Sequence, residues 1–391
     1  DDLQLTGSLE EVADDDFSDI DVEKNLNASN ASPVVSLVDR ILVQALERSA
    51  SDIHLEPQDD GLVIRLRQDG VLEQLDKLPK NLTPAVTSRL KIMADLDIAE
   101  RRLPQDGRIR RRYQGKLFDL RVSTLPTRYG EKVCMRLLDS GTTHLGLDRL
   151  ISDPMALASV REMGSKPFGM LLVTGPTGSG KSTTLYSLLA ERNDPGVNIS
   201  TVEDPIEYTL KGISQTQVNR EKGYDFALAL RAFMRQDPDV LMIGEIRDKE
   251  TATIAIEAAL TGHQVLSTLH TNNAPATVTR LMEMGVPEYL IASTVSSISA
   301  QRLVRNLCPT CAEPYQPSAA LLANLPGAKS ASDAHYRKPK GCSACRGTGY
   351  RGRASIAEIM MISDTMRDLI LRRAPERDIR NKAIDEGMVP L

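Results

Sequence analysis

The chain has 391 residues, 41% of them apolar, and a net charge of −5 with acidic and basic residues interspersed. That length allows two or three domains with sizeable cores. The lack of a basic excess argues against a general nucleic-acid binder, and no apolar run reaches the length of a membrane span.

Residues 1–32 are acidic and short of large apolar side chains, with Asp14-Asp15-Asp16 followed by Asn- and Ser-rich sequence. They read as an acidic linker, or as a tether to a further N-terminal domain. The first residue is Asp1 rather than Met and no secretory leader is visible, so the natural start is expected upstream. The sequons at Asn27 and Asn30 carry no meaning in a cytosolic protein. Pro33 sits where a helix would begin, and Val34, Leu37, Val38, Ile41, Leu42 and Ala45 give that helix a wide apolar face. Ser51–Glu56 reads as a short strand. Leu62, Ile64 and Leu66 alternate with polar residues up to Asp69-Gly70, a hairpin signal. A second helix is expected from Pro84 to Asp95, then strands flanking Gln114-Gly115 and a last strand from Glu131 to Leu138. Residues 33–140 are thus a compact α+β domain. Its Arg108, Arg110, Arg111 and Arg112 read as a charged strand edge that discourages edge pairing. Arg121 and Arg136 lie on otherwise apolar strands and are candidates to reach a bound triphosphate.

From about Leu145 to Arg305, strand and helix patterns alternate, which implies an α/β domain with a parallel sheet and helices on its faces. Its centre is the apolar run Met170–Val173, followed by Gly175-Pro176-Thr177-Gly178-Ser179-Gly180-Lys181-Ser182-Thr183. This fits the phosphate-binding loop pattern without mismatch. The glycines let backbone N–H groups converge on an anion, and the following helix points its N-terminal dipole at the same place. Lys181 would reach the β- and γ-phosphates, and the Ser182 hydroxyl would ligate Mg²⁺.

In open parallel sheets, ligands bind at the carboxyl ends of the strands. Val197–Asp204 ends in Glu203 and Asp204. Asp239–Asp248 runs through an apolar strand into Gly244-Glu245-Ile246-Arg247, and Gln264–Leu269 ends in His270. Glu245 is the first choice for the acid that positions water or Mg²⁺, and Glu203 the second. His270 would sense the γ-phosphate or link neighbouring subunits, whereas His263 reads as a helix-end residue. A helix from Asp225 to Arg235 places Arg231 and Arg235 on one face. Two more helices are expected, from Ala274 to Met284 and from Pro287 to Asn306.

Of five cysteines, four form the pairs Cys308/Cys311 and Cys342/Cys345. Four thiolates on two knuckles suit tetrahedral Zn²⁺, and the segment between them has little core of its own, so a metal would stabilise it. The rival, a pair of redox dithiols, lacks a βαβ context. Cys134 reads as a core thiol.

With these residues laid out, the chain resembles the secretion ATPase superfamily, in particular the type II secretion and type IV pilus assembly ATPases. The resemblance runs from about Pro33 onward. It rests on Ser51-Asp-Ile-His-Leu-Glu-Pro57, Leu96–Gly107, Ser200-Thr-Val-Glu-Asp-Pro205, Gly244-Glu-Ile-Arg-Asp248 and Thr261–Asn272. Cys308-Pro-Thr-Cys311 and the long gap to Cys342 look closest to the type II secretion branch. The resemblance implies a RecA-like P-loop ATPase domain over 141–391, preceded by a PAS-like second N-terminal domain over 33–140. It implies a four-cysteine zinc subdomain over 305–350, with ATP, Mg²⁺ and Zn²⁺ as cofactors. It further implies a hexameric ring in which Arg121, Arg136, Arg231, Arg235 and Arg247 surround the nucleotide. The implied place of work is the cytoplasmic face of the bacterial inner membrane. Its implied partners are a bitopic anchor protein, held by a first N-terminal domain, and a polytopic platform protein. The implied function is ATP hydrolysis that drives pseudopilus assembly and export of folded proteins, with pilus extension as the alternative.

Overall fold

A computed structural model describes residues 33–114, 116–138, 146–151, 153–323 and 336–391. The acidic segment 1–32, Gly115 and the junction around Asp139 lie outside the described residues. The chain divides into two compact units, residues 1–143 and 144–391.

In the first unit, α1 (Pro33–Glu47) and α2 (Thr83–Met93) accompany six strands: β1 (Asp52–Pro57), β2 (Leu62–Gln68), β3 (Val71–Leu78), β4 (Gln105–Tyr113), β5 (Lys116–Thr127) and β6 (Gly130–Leu138). The sheet order is β3-β2-β1-β6-β5-β4, antiparallel at every step. The β2–β3 turn is made by Asp69 and Gly70, both at positive φ, which suits the twist of a tight hairpin. Alternation sends Ile53, Leu55, Ile64, Leu66, Leu120, Val122, Val133 and Met135 into one core with Val38, Leu42, Val86 and Leu90 of the helices.

The opposite set of side chains is charged. Register aligns Arg108, Arg121, Arg136, Asp52 and Arg67 in one row across five strands. Arg136 and Arg67 both approach Asp52, at 2.9 and 3.6 Å. The arginines of β4 are not one cluster. Arg108 and Arg110 share Asp119, while Arg111 points the other way and is buried.

The second unit opens with a four-residue helical turn, Leu147–Leu150, followed by a helix, α3 (Pro154–Ser165), and then builds a seven-stranded sheet. Its strands are β7 (Gly169–Thr174), β8 (Ile199–Glu203), β9 (Ser214–Gln217), β10 (Val240–Ile243), β11 (Gln264–Leu269), β12 (Val295–Leu307) and, after the cysteine-bearing segment, Tyr350–Met361, here called the return strand. The order is return strand-β12-β7-β11-β10-β8-β9. All neighbours are parallel except the return strand, which runs antiparallel to β12. Alternate residues of β7 feed opposite faces, as expected of a strand covered on both sides. Met170 and Leu172 join α5 (Phe226–Phe233), α6 (Lys249–Leu260) and α7 (Ala274–Glu283). Leu171 and Val173 join α3 and α4 (Lys181–Arg192). Asp225, Asp248 and Asn273 cap α5, α6 and α7 by accepting from Leu228, Thr251 and Ala276 N–H groups at 2.8, 2.8 and 2.7 Å.

The long helix expected over Pro287–Asn306 is not formed. A short helix, α8 (Glu288–Thr294), stops at Thr294, and Val295–Leu307 is strand β12. Small residues and β-branched Val295 and Ile298 fill its first half, which is largely buried between β7 and the return strand, while Val304–Asn306 are exposed. Its partnership supplies the backbone hydrogen bonds that decide the matter, and that partner lies far downstream. The helix expected over Asp225–Arg235 ends at Phe233, leaving Arg235 beyond it, although Arg235 still donates to the Arg231 carbonyl at 2.8 Å.

Candidate nucleotide and metal sites

The phosphate loop joins β7 to α4. Pro176, Thr177 and Gly178 form its exposed crest, while Gly175 and Ser179 are buried and Ser182 and Thr183 sit half-buried in the first turn of α4. Gly175 has φ +145°, and a Cβ there would lie 2.5 Å from the Gln301 carbonyl oxygen, so no side chain fits. Lys181 is 9% exposed and its Nζ donates to the Gly175 and Pro176 carbonyls at 2.9 and 3.1 Å. Burial pushes its pKa down, against the fields of Glu245 and Glu207. The Ser179 hydroxyl is buried without a hydrogen-bond partner. This is a cradle whose backbone is held close and whose ammonium is parked on carbonyls, and it fits a polyphosphate. A bound triphosphate with Mg²⁺ would supply the phosphoryl group to be transferred, and Ser182 would be the residue to help hold the metal.

Three parallel strands bring their carboxyl ends to this loop. Thr174, the last residue of β7, accepts the Thr271 N–H at 2.8 Å and donates to the Leu269 carbonyl at 3.0 Å, which pins the end of β11 and its His270 beside the loop. Glu245 follows β10. Gly244 donates to the Val202 carbonyl at 2.8 Å, and the Gly244 carbonyl accepts from Thr268 at 2.7 Å, so the backbone before Glu245 is held between β8 and β11. The Glu245 carboxylate meets Arg247 at 2.5 Å and His270 Nε2 at 3.5 Å. Arg247 holds it below the usual carboxylate range, burial opposing. Glu245, Arg247, His270 and Lys181 are therefore brought together.

Glu203 stands differently. It is 4% exposed, and its carboxylate accepts from Thr201 at 2.6 Å, from Gln215 at 3.1 Å and from the Tyr186 hydroxyl. Burial pushes its pKa up despite these donors. The Tyr186 hydroxyl also accepts the Glu207 N–H at 3.2 Å, and its ring meets Tyr208 edge-on at 4.4 Å. Glu203 thus ties α4 to the segment that carries Asp204 and Glu207. Arg231 pairs with Glu250. Arg121 and Arg136 belong to the first unit. His263 caps a helix end, its Nδ1 meeting the Ala258 carbonyl at 2.9 Å.

Several residues at the site carried no signal in the sequence. Gln301 and Arg302 lie on β12, which read as helix; Arg302 adds a cation beside Lys181 and donates to the Asn272 carbonyl at 2.8 Å. Tyr186 and Glu207 are two more, joined through the Tyr186 hydroxyl.

At the far end of β12, Cys308, Cys311, Cys342 and Cys345 have sulfurs all within 4.8 Å of one another. Three of the pairs lie at 3.9, 3.7 and 3.7 Å. A tetrahedron with Zn–S of about 2.3 Å has edges of about 3.8 Å, so the donor set fits zinc. The Cys342 and Gly349 N–H groups both donate to Cys345 Sγ at 3.1 Å. Against desolvation, these donors and the neighbouring thiols pull Cys345 down to about 6. Cys134 is half-buried, and burial raises its pKa.

A phosphate loop at the centre of a parallel sheet, with an acid and a histidine at adjoining strand ends, defines an α/β P-loop ATPase. The comparisons agree. Residues 27–389 match the family described as "Type II/IV secretion system protein". The chain is 48% identical to the type IV pilus assembly ATPase PilB of Myxococcus xanthus, over 98% of this chain and 70% of that one. It is 49% identical to type II secretion system protein E of Xanthomonas campestris, over 98% and 68%, and 48% identical to that of Pseudomonas aeruginosa, over 94% and 73%. Among solved structures it is similar to the pilus retraction motor PilT with bound ADP (26% identity, TM-score 0.57, 90% of this chain and 94% of that one). It shares its fold with the Legionella pneumophila ATPase DotB (22% identity, TM-score 0.63, 92% and 88%). The chain belongs to the type II/IV secretion system protein family.

Proposed function

We propose that this chain is the ATPase of a type II secretion system, in which ATP hydrolysis drives pseudopilus assembly and export of folded proteins. The observation that carries the reading is the convergence of Lys181, Glu245 and His270 at the ends of adjoining strands. Glu245, kept ionised by Arg247, orients the attacking water or Mg²⁺; Lys181 leaves its carbonyl contacts for the phosphates; His270 reads the γ-phosphate side. Residues 33–140 act as a PAS-like domain whose Arg121 and Arg136 complete the site in a hexameric ring, with Arg231 and Arg235 lining it. Residues 141–391 form the RecA-like motor, and 305–350 a structural zinc subdomain. The ring works on the cytoplasmic face of the inner membrane, held by a bitopic anchor protein and docked on a polytopic platform protein.

The 48% identity to a pilus assembly ATPase supports a second reading, pilus extension. One experiment separates the two. Lys181→Ala is introduced in the source bacterium, and extracellular enzymes and surface pili are assayed together. Loss of exported enzymes with normal pili supports secretion; loss of pili with normal export moves the chain to pilus assembly.

A further inference from the structure

Gln301 lies under the phosphate loop on β12 and is 2% exposed. Its Nε2 donates to the Ser179 carbonyl at 3.0 Å, and its Oε1 accepts from the Thr184 hydroxyl at 3.1 Å. A Cβ on Gly180 would lie 3.0 Å from its Nε2. One side chain thus touches both the loop and the helix that the loop feeds.

The consequence follows from the planarity of the peptide. In a trans peptide unit the C=O and the N–H point in opposite directions. The Ser179 carbonyl turned onto Gln301 therefore turns the Gly180 N–H away from the buried strand, to the side where a phosphate arrives. Backbone sterics alone do not secure that orientation. Gly180 has φ +87° and no Cβ, so the Ser179–Gly180 peptide can flip at little steric cost. The flipped unit would present a carbonyl oxygen to the phosphate instead of a donor. The Ser179 carbonyl can only accept and so takes the NH₂ end of the amide, and the Thr184 hydroxyl, donating to Oε1, anchors the other end.

We propose that Gln301 is a positioning residue for phosphate binding, locking the Ser179–Gly180 peptide with its N–H aimed at the nucleotide's polyphosphate. The proposal rests on the nucleotide-binding reading of the loop. It differs from a core glutamine that merely satisfies its own polar atoms, because it makes the effect depend on the phosphates.

The test uses the full chain and three variants: Gln301→Met, an isostere without the donor; Gln301→Glu, which sets an oxygen against the Ser179 carbonyl; and Thr184→Val, which removes the donor that anchors Oε1. Affinity is measured by titration with methylanthraniloyl-ADP and by competition with ADP and AMP, alongside the melting temperature without nucleotide. The expected result is a loss of about tenfold or more in ADP affinity for both Gln301 variants, larger for Glu than for Met, and a smaller loss for Thr184→Val. AMP, which lacks the β-phosphate, should lose less than threefold. ADP affinity within threefold of wild type in both Gln301 variants overturns the proposal. Equal losses for ADP and AMP with a lowered melting temperature also overturn it, since Gln301 would then be structural. Failure of the wild type itself to bind ADP would remove the reading of the loop, and the proposal with it.

Discussion

Glu203 and Glu245 are the same residue type near the ends of neighbouring strands, and their surroundings pull them apart. Glu245 is held ionised by Arg247, whereas Glu203 is desolvated and pushed toward protonation. In the proposed mechanism the ionised Glu245 serves the chemistry, while the contacts of Glu203 tie α4 to β8. Glu245→Gln should lower phosphate release by about 100-fold or more with ADP binding retained, measured by single-turnover kinetics on the full chain. Glu203→Gln should act mainly on thermal stability. The pH dependence follows with its sign. Because Arg247 lowers the Glu245 pKa, the carboxylate stays ionised until the pH falls well below the ordinary carboxylate range, so the acid limb of the rate profile lies low. Arg247→Ala removes the principal cause and should move that limb to higher pH, which a pH–rate profile of the variant would detect.

At the scale of elements, α4 and β8 meet through one hydroxyl. Tyr186→Phe leaves the Glu203 carboxylate short of a donor and the Glu207 N–H without its acceptor, and should cost about 1–3 kcal/mol in denaturant unfolding. What was legible in the sequence divides along the same line. The phosphate loop, the strands ending in Glu203 and His270, and the paired cysteines are local patterns, written within a few residues of one another. Strand β12 is not local. Its apolar residues read in isolation as a continuation of the helix before it, and only pairing with β7 and with Tyr350–Met361 makes it a strand. Gln301 and Arg302 were hidden for that reason, and Tyr186 because its polar tip is used far from its own helix. The cysteine knuckles sit where β12 ends and its return strand begins, since Leu307 pairs with Tyr350 and Cys308 donates to the Gly349 carbonyl at 2.9 Å. Elemental analysis should find one zinc per chain. Its removal by a chelator, or Cys345→Ser, should free thiols to titration and lower the melting temperature.

At the scale of the molecule, the two units each carry their own core, and among the described residues no helix is long and apolar enough to cross a membrane. The charged row on the first unit's sheet and the half-exposed Arg247 and His270 of the second are surfaces without a core's need for them. If subunits assemble so that these charges meet at a shared nucleotide, specific ATPase activity should rise with protein concentration. Arg121→Ala and Arg136→Ala should flatten that rise while leaving ADP affinity of the dilute chain within a few-fold; activity proportional to concentration in the wild type would count against assembly.

The stem that carries the cysteines also bears on what the chain can accept as an insertion. Leu307 and Tyr350 are paired at its base and four sulfurs are gathered just above, so the chain between Cys311 and Cys342 leaves and returns at one fixed point. Lengthening an excursion whose ends are already joined costs only a logarithmic increment of entropy. An insertion between Cys311 and Cys342 is therefore expected to cost the second unit little stability, which the melting temperature of a chain carrying a short inserted tag would check.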